Sequence, residues 1–276
     1  MLYRMSARPP HLSPHSVRRV GELEVAYRRA GEGSTLVYFH GMGLTRRWLR
    51  LHAALSTRFD VLALEHPGFG DTPRPRWYRG LDDIAVGHAD VLDALGVQRF
   101  HLVGHSLGGL IAGTFAALYP ERVRTMTLIA PAPLPVVTPP ERRAPALPDP
   151  LPPGFDFDHI LFNGHASSYP DYLKGDDDGD FLAEIDDDPF ADPEAFQLDG
   201  SASLYRRLAR IQCPCQILIP DEDRVVDHLC FADWARWLGG AHQVTITGKA
   251  CPTGHLLIVQ EPEQITEAVE RLAGIA

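Results

Sequence analysis

Short apolar runs alternate with segments of helical periodicity along the first half of the chain. Four of these runs predict strands that are buried on both faces of a sheet, namely Leu36–Phe39, Val61–Leu64, Phe100–Val103 and Thr125–Ile129. Apolar residues recur at the spacing of one helix face between residues 81 and 95 and again between residues 110 and 118. The alternation predicts a largely parallel β-sheet with helices on its faces.

The same pattern continues at both ends of this region. Residues 17–20 and 23–28 resemble the antiparallel strands that often form the edge of such a sheet. Near the carboxyl end the chain predicts a strand, a helix, a second strand and a last helix, at Cys215–Ile219, near His228–Leu238, near Val244–Ile246 and around Ile265, Val269 and Leu272. These elements extend the predicted sheet.

The pattern breaks between these two regions. Ten prolines between residues 131 and 153 exclude a regular helix or strand there, and aromatic residues among acidic turns follow. We therefore predict a core in two parts, residues 1–131 and 205–276, with a cap inserted at residues 132–204. The insertion holds 13 aspartates and 3 glutamates against 2 arginines and 1 lysine, a net charge of −13, whereas the whole chain carries −10.

Composition narrows the range of partners. The chain of 276 residues is 45% hydrophobic and 22% charged, and no run of about 18 apolar residues predicts a membrane span. Its negative charge disfavours nucleic acid as a partner. The first residues lack the apolar segment of a signal peptide, so we expect a cytoplasmic location.

Metal and cofactor sites are not expected. The four cysteines are predicted to be free and mostly buried thiols, and Cys213-Pro214-Cys215 has no second cysteine pair to complete a zinc site. The acidic run at residues 176–180 lacks the first ligand and the final glutamate of a calcium loop. We expect no cofactor.

A nucleophilic serine is predicted where a strand meets a helix. Gly104-His105-Ser106-Leu107-Gly108 follows a predicted strand and precedes a helical pattern, which is the context of a G-x-S-x-G nucleophile elbow. Ser106 would need a base within hydrogen-bonding distance and a carboxylate to orient that base. Asp221, Glu222 and Asp223 follow one later strand and His255 follows the next, so both partners are available in the expected order.

Four motifs together resemble the α/β-hydrolase superfamily. They are His40-Gly41-Met42-Gly43, His66-Pro67-Gly68-Phe69-Gly70, the elbow, and Gly254-His255 followed by Glu261-Pro262-Glu263. The resemblance covers nearly all of the chain except the first sixteen residues and the insertion. It implies an α/β fold with a mostly parallel eight-stranded sheet, helices on both faces and an inserted cap.

The resemblance also implies roles for individual residues. The backbone N–H groups of Met42 and Leu107 would form the oxyanion hole. The usual Gly-x-x-Asp pattern aligns Asp223 as the acid, although Pro220 replaces the glycine and Asp221 and Glu222 remain alternatives. The stretch between residues 248 and 254 is longer than the usual turn before the histidine. Whether His255 approaches Ser106 in the usual way is therefore left open by the sequence.

Other polar residues near these motifs are expected to be structural. His40, His66 and His105 flank tight turns, where bonding to the backbone explains them. Glu65 is expected to brace a turn and Asp227 to cap a helix.

A serine nucleophile restricts the reaction. It excludes the aspartate-dependent dehalogenase-like and epoxide-hydrolase-like enzymes and favours acyl transfer. Leu256 follows the histidine where many ring-cleavage hydrolases have tryptophan. We therefore predict a carboxylesterase-like serine hydrolase whose partner is a small or medium, largely apolar ester. A carbon–carbon bond hydrolase and a non-enzymatic ligand-binding protein are the alternatives.

Overall fold

The computed structural model describes residues 15–134, 156–168 and 203–275. These residues form an eight-stranded sheet in the order β1-β2-β4-β3-β5-β6-β7-β8. The strands are β1 (Ser16–Val20), β2 (Leu23–Ala30), β3 (Ser34–Phe39), β4 (Phe59–Leu64), β5 (Phe100–His105), β6 (Val123–Ile129), β7 (Cys215–Pro220) and β8 (His242–Ile246). The pairs β1–β2 and β2–β4 are antiparallel, and the remaining pairs are parallel. The mostly parallel sheet and its antiparallel edge are thereby confirmed.

Helices cover the sheet on opposite sides. They are α1 (Arg50–Leu55), α2 (Leu81–Ala94), α3 (Leu107–Leu118), α4 (Phe157–Phe162), α5 (Leu204–Arg207), α6 (His228–Trp237), α7 (Leu257–Gln260) and α8 (Pro262–Ala273). The crossover from β3 to β4 runs in the opposite direction to the later crossovers. Since such crossovers are right-handed, α1 lies on one face and α2, α3 and α6 lie on the other. The packing agrees, because α1 contacts α8 and α2 contacts α3.

The core fills the space between the sheet and these helices. The strands β3, β5 and β6 are buried along most of their length, which explains their continuous apolar sequences. On one face the indole of Trp234 in α6 packs against Gly113 in α3, where a Cβ would lie 2.9 Å from the ring. A small residue at position 113 therefore allows α3 and α6 to approach each other closely.

The register of the parallel strands brings several strand ends together. Phe39 at the end of β3 pairs with Gly104 in β5, and His105 pairs with Ile129 in β6. In the other half, Pro220 at the end of β7 pairs with Ile246 at the end of β8. The loops that carry the sequence motifs consequently leave the same edge of the sheet, where sites in α/β folds form.

The predicted insertion lies mostly outside the described residues. Its described parts are residues 132–134, the segment 156–168 that contains α4, and residues 203–204. The acidic run at residues 176–180 also lies outside them. The cap therefore stays a prediction. Among the described residues, no helix is long and apolar enough to cross a bilayer.

Candidate active site

Ser106 occupies a strained turn between β5 and α3. Its backbone has φ 52° and ψ −119°, a conformation that a residue with a side chain rarely adopts. Hydrogen bonds hold it on both sides, because Ser106 N–H donates to Ile129 O while the N–H groups of Gly109 and Ala132 donate to Ser106 O. The turn lifts the hydroxyl above the sheet edge, as a nucleophile elbow requires.

Two glycines make this turn possible. A Cβ on Gly104 would lie 2.3 Å from the carbonyl oxygen of Gly108. A Cβ on Gly108 would lie 2.1 Å from the carbonyl oxygen of Phe39. Both distances are far below van der Waals contact, so the approach of α3 to β3 and β5 depends on the absence of side chains at these positions.

The structure brings Ser106, His255 and Asp223 into one hydrogen-bonded chain. The Ser106 Oγ atom lies 2.9 Å from His255 Nε2, and His255 Nδ1 lies 2.9 Å from Asp223 Oδ2. Only 6% of the His255 side chain and 1% of the Asp223 side chain are exposed. The second carboxylate oxygen of Asp223 accepts the N–H groups of Val225 and Val226, both at 2.8 Å. These bonds fix the carboxylate that faces the imidazole.

The neighbouring carboxylates have other partners. Asp221 Oδ2 accepts the N–H groups of Gly248 at 2.9 Å and Thr253 at 3.3 Å. Glu222 Oε2 lies 3.5 Å from Arg224 Nη2, with half of the Glu222 side chain exposed. Asp221 therefore holds the stretch between residues 248 and 254 in place through these two hydrogen bonds. Although this stretch is longer than usual, His255 still lies within hydrogen-bonding distance of Ser106.

The predicted oxyanion-hole residues flank Ser106. Leu107 is the first residue of α3, so its N–H is one of the four that have no acceptor within the helix. Gly41 lies against the nucleophile, since a Cβ on it would be 3.0 Å from Ser106 Cβ, and Met42 follows Gly41 in the chain. The loop after β3 and the start of α3 therefore both adjoin the serine.

His105 forms a hydrogen bond with the backbone of His255. Its Nε2 lies 3.0 Å from His255 O, so Nε2 carries the proton and donates to that carbonyl. Burial lowers the pKa of His105 to about 3, and the nearby His255 acts in the same direction. His105 is therefore a neutral donor and not a base for Ser106, which agrees with the structural role expected for it.

His40, His66 and His88 form a buried relay of neutral rings. His66 N–H donates to His40 Nε2 at 3.0 Å, so His40 carries its proton on Nδ1, which lies 2.6 Å from Gly41 O. His66 Nε2 lies 3.0 Å from His40 O and must donate, so His66 Nδ1 accepts from His88 Nε2 at 2.8 Å. Burial lowers the pKa of His40 to about 4 and that of His88 to about 3. The relay fixes the motif loops, and the sequence analysis missed His88.

Glu65 and Arg28 form a buried ion pair next to the relay. Arg28 Nη1 lies 2.6 Å from Glu65 Oε1, and Glu65 Oε2 accepts Asp71 N–H at 2.6 Å. Burial raises the pKa of Glu65, while Arg28 and Asp71 N–H oppose that shift. The bracing role expected for Glu65 is confirmed. Asp227 also caps α6 as expected, because its side chain accepts Leu229 N–H.

The four cysteines are free thiols, as predicted. Only Cys230 is fully buried, however, so the expectation that most of them are buried is wrong. Cys213 and Cys215 flank Pro214 at the start of β7, and both are partly exposed. Among the residues that the structure describes, no cluster of three or more histidine, cysteine, aspartate or glutamate side chains could hold a metal ion.

Comparison with known proteins gives a consistent result. A family model described as the alpha/beta hydrolase fold matches residues 34–161. The 2-hydroxy-6-oxo-2,4-heptadienoate hydrolase of Pseudomonas putida is 34% identical over 114 residues, which are 40% of this chain and 41% of that protein. The pimeloyl-(acyl-carrier protein) methyl ester esterase of Aeromonas hydrophila is 33% identical over 113 residues, 40% of this chain and 43% of that protein.

The whole described fold also matches a solved structure. The crystal structure of a bacterial membrane phospholipase A superposes with a TM-score of 0.70 at 26% identity and covers 96% of this chain and 86% of that one. By contrast, the matched segment makes up between 33% and 43% of the length of curated relatives. The chain therefore matches these curated relatives over less than half of their own length.

Proposed function

The chain belongs to the α/β-hydrolase fold superfamily, and from this premise we propose that it is a serine hydrolase that acts through an acyl-enzyme. The observation that carries the proposal is the hydrogen-bonded chain from Ser106 Oγ through His255 to Asp223, with both distances at 2.9 Å. Such a chain activates a serine that is otherwise unreactive at neutral pH.

Each residue has a defined part in the proposed reaction. His255 Nε2 takes the proton of Ser106 as Oγ attacks the carbonyl carbon, and Asp223 stabilises the imidazolium that forms. The N–H groups of Met42 and Leu107 stabilise the negative oxygen of the tetrahedral intermediate. When the intermediate collapses, His255 returns the proton to the leaving alcohol. Water then repeats these steps on the acyl-enzyme and releases the acid.

We propose a small or medium, largely apolar ester as the substrate, bound beneath a cap formed by residues 132–204. The similarity to a methyl ester esterase supports an ester. A carbon–carbon bond hydrolase is the second candidate, because a 2-hydroxy-6-oxo-dienoate contains no ester bond and the enzyme named for it is a relative.

A fluorophosphonate probe tests the nucleophile. We expect it to label Ser106 alone, because only an activated serine attacks the phosphorus centre. The Ser106→Ala variant should lose labelling and should lose ester turnover by about 10⁶-fold. The Ser56→Ala variant, which changes a serine at the end of α1, serves as the matched control and should keep both. Labelling that persists in Ser106→Ala would reject the assignment.

A substrate series separates the candidates. Chromogenic esters of increasing acyl length should give the highest kcat/KM with short or medium neutral chains. Turnover of 2-hydroxy-6-oxo-2,4-heptadienoate without ester turnover would favour the carbon–carbon bond hydrolase instead. If the folded wild type turned over neither substrate and took up no probe, a non-enzymatic ligand-binding protein would be the better explanation.

A further inference from the structure

One carboxamide, that of Asn163, links the two loops that carry the proposed acid and base. Asn163 ends α4, within the inserted region. Its Nδ2 lies 3.1 Å from Glu222 O and 3.3 Å from Thr253 O. Glu222 directly precedes Asp223, and Thr253 lies two residues before His255. The amide group therefore contacts both loops close to the residues whose side chains must meet.

The orientation of this amide is set by its partners. Nδ2 faces two carbonyl oxygens, which require a donor, and Oδ1 accepts Arg224 Nε at 2.9 Å. A flipped amide would place an oxygen against both carbonyls and an NH2 group against a guanidinium. Thr253 O also accepts Glu222 N–H at 3.0 Å, so the carboxamide completes a junction between the two loops.

The backbone around Asn163 adds to this junction. Asn163 has φ 57°, a left-handed conformation that asparagine tolerates better than most residues. Just before it, Leu161 O accepts Leu256 N–H at 3.2 Å, and a Cβ on Gly254 would lie 2.5 Å from the same oxygen. Residues on both sides of His255 thus rest against the end of α4.

We propose that Asn163 is a positioning residue that holds the acid loop and the histidine loop at the spacing needed for the bond between Asp223 and His255. The inference rests on the proposed function for the identity of the acid and the base. It extends that function to the inserted region, because the end of α4 then fixes the geometry of the catalytic pair. Loosening this contact would misplace His255 relative to Asp223 and Ser106.

Two substitutions at this position test the proposal. Asn163→Gly removes the carboxamide while glycine keeps the left-handed backbone without strain. Asn163→Asp keeps the oxygen that faces Arg224 and places a second oxygen against the two carbonyls. We expect kcat per active site to fall by about 10-fold to 10²-fold in Asn163→Gly, with little change in KM, because a small displacement at the reacting groups is costly. Asn163→Asp should lose more.

The control must loosen the same segment without touching either loop. Asp158 Oδ1 accepts Ala166 N–H at 2.7 Å within this segment, so Asp158→Ala is a matched variant. Active sites are counted by fluorophosphonate titration, which removes any loss due to unfolded protein. We expect Asp158→Ala to keep its kcat per titrated site. An equal loss in Asp158→Ala and Asn163→Gly, or no loss in either, would reject a positioning role.

A spectroscopic measurement separates this inference from the proposed function. The low-field proton NMR signal of His255 Nδ1–H reports the bond to Asp223 and requires no turnover. We expect it in the wild type and in Asp158→Ala, and expect it shifted or broadened in Asn163→Gly. An unchanged signal in Asn163→Gly overturns the inference even if the wild type is an active hydrolase. A changed signal in a protein without activity supports the positioning role and rejects the hydrolase.

Discussion

Asp221 and Asp223 lie in the same short loop after β7 but bond to different groups. Asp223 faces His255 Nδ1 through one oxygen and is fixed by two backbone N–H groups through the other. Asp221 accepts N–H groups from the stretch that leads to His255. One carboxylate therefore contacts the proposed base directly, and the other supports the loop that carries it.

This difference predicts unequal effects of the same substitution. Asp223→Asn should lower kcat by about 10⁴-fold, because an amide at this position favours the wrong imidazole tautomer and cannot stabilise the imidazolium. Asp221→Asn should lose far less, since its carbonyl oxygen can still accept from Gly248 and Thr253. Steady-state kinetics of the two variants with one ester provide the measurement, and thermal unfolding checks that both fold. A larger loss in Asp221→Asn would move the acid to that residue.

For single residues, the sequence predicts the candidate site where the chemistry depends on a short local motif. Ser106 and His255 are predictable because the elbow and the order of the later motifs depend on short stretches of chain. The Gly-x-x-Asp alignment favours Asp223 but leaves Asp221 and Glu222 as alternatives, and only the contacts across the sheet edge distinguish them. Asn163 and His88 have no local signal, because their partners are distant in sequence and the same residue types are common in helix ends and on helix faces.

Among the elements, the contact between α3 and the strand ends is the most constrained. A Cβ on Gly108 would meet the backbone of Phe39, which cannot move without shifting β3. A Cβ on Gly113, one and a half turns later, would meet the ring of Trp234, a buried side chain that donates its Nε1–H to Ala132 O. The two glycines thus lie in the same helix but face neighbours of different rigidity.

Substitution of each glycine by alanine should show this difference in rigidity as a difference in the free energy of unfolding. Both variants gain about 1 kcal/mol of helix propensity. Gly108→Ala should nevertheless lower the free energy of unfolding by about 3 kcal/mol or more, since overpacking against backbone is not relieved by a rotamer change. Gly113→Ala should also destabilise the fold but by less, because a side chain can shift by a few tenths of an ångström at a lower cost than backbone. Urea unfolding of both variants and the wild type measures the difference, and a Gly108→Ala variant as stable as the wild type would show that the elbow tolerates a Cβ.

The elements themselves follow the hydrophobic pattern closely. All eight strands overlap the segments predicted for them, although β3, β4, β6 and β8 each begin two residues before the predicted run. The helix α1 was not predicted. It begins after Leu49, which has no side-chain oxygen to cap a helix, and His52 Nδ1 accepts Leu49 N–H instead. A six-residue helix with an unusual cap carries too little local signal for sequence reasoning.

For the molecule as a whole, the buried histidines make the stability of the fold depend on pH. Seven of the described histidines are at most 5% exposed, among them the five residues His40, His52, His66, His88 and His105. Desolvation lowers the pKa of each of these five, to about 4 for His40 and to about 3 for His52, His88 and His105. The folded state therefore keeps all five neutral at pH values where an unfolded chain would bind protons.

This difference in proton binding makes the folded state less stable as the pH falls. Above about pH 6.5 neither state binds these protons, so this source of instability is absent. As the pH falls below that value the unfolded state takes up about one proton per buried histidine, and each proton costs the folded state about 1.4 kcal/mol per pH unit. Five such residues approach about 7 kcal/mol per unit, which is comparable with the total stability of a typical domain. We expect acid unfolding to begin within one to two pH units of 6.5, long before most carboxylates are protonated.

Urea unfolding at several pH values between 7 and 5.5 would measure this dependence, since its slope counts the protons taken up on unfolding. Glu65 works in the opposite direction, because burial raises its pKa and the folded state binds its proton first, but it can offset only one proton. His88→Leu is the informative variant, because it removes one titrating group from the relay, and its slope should be smaller by about one proton whatever its stability at pH 7. A wild-type slope near zero would mean that the relay takes up protons in the folded state. The buried rings would then carry charge, which the neutral hydrogen-bond pattern of His40, His66 and His88 does not allow.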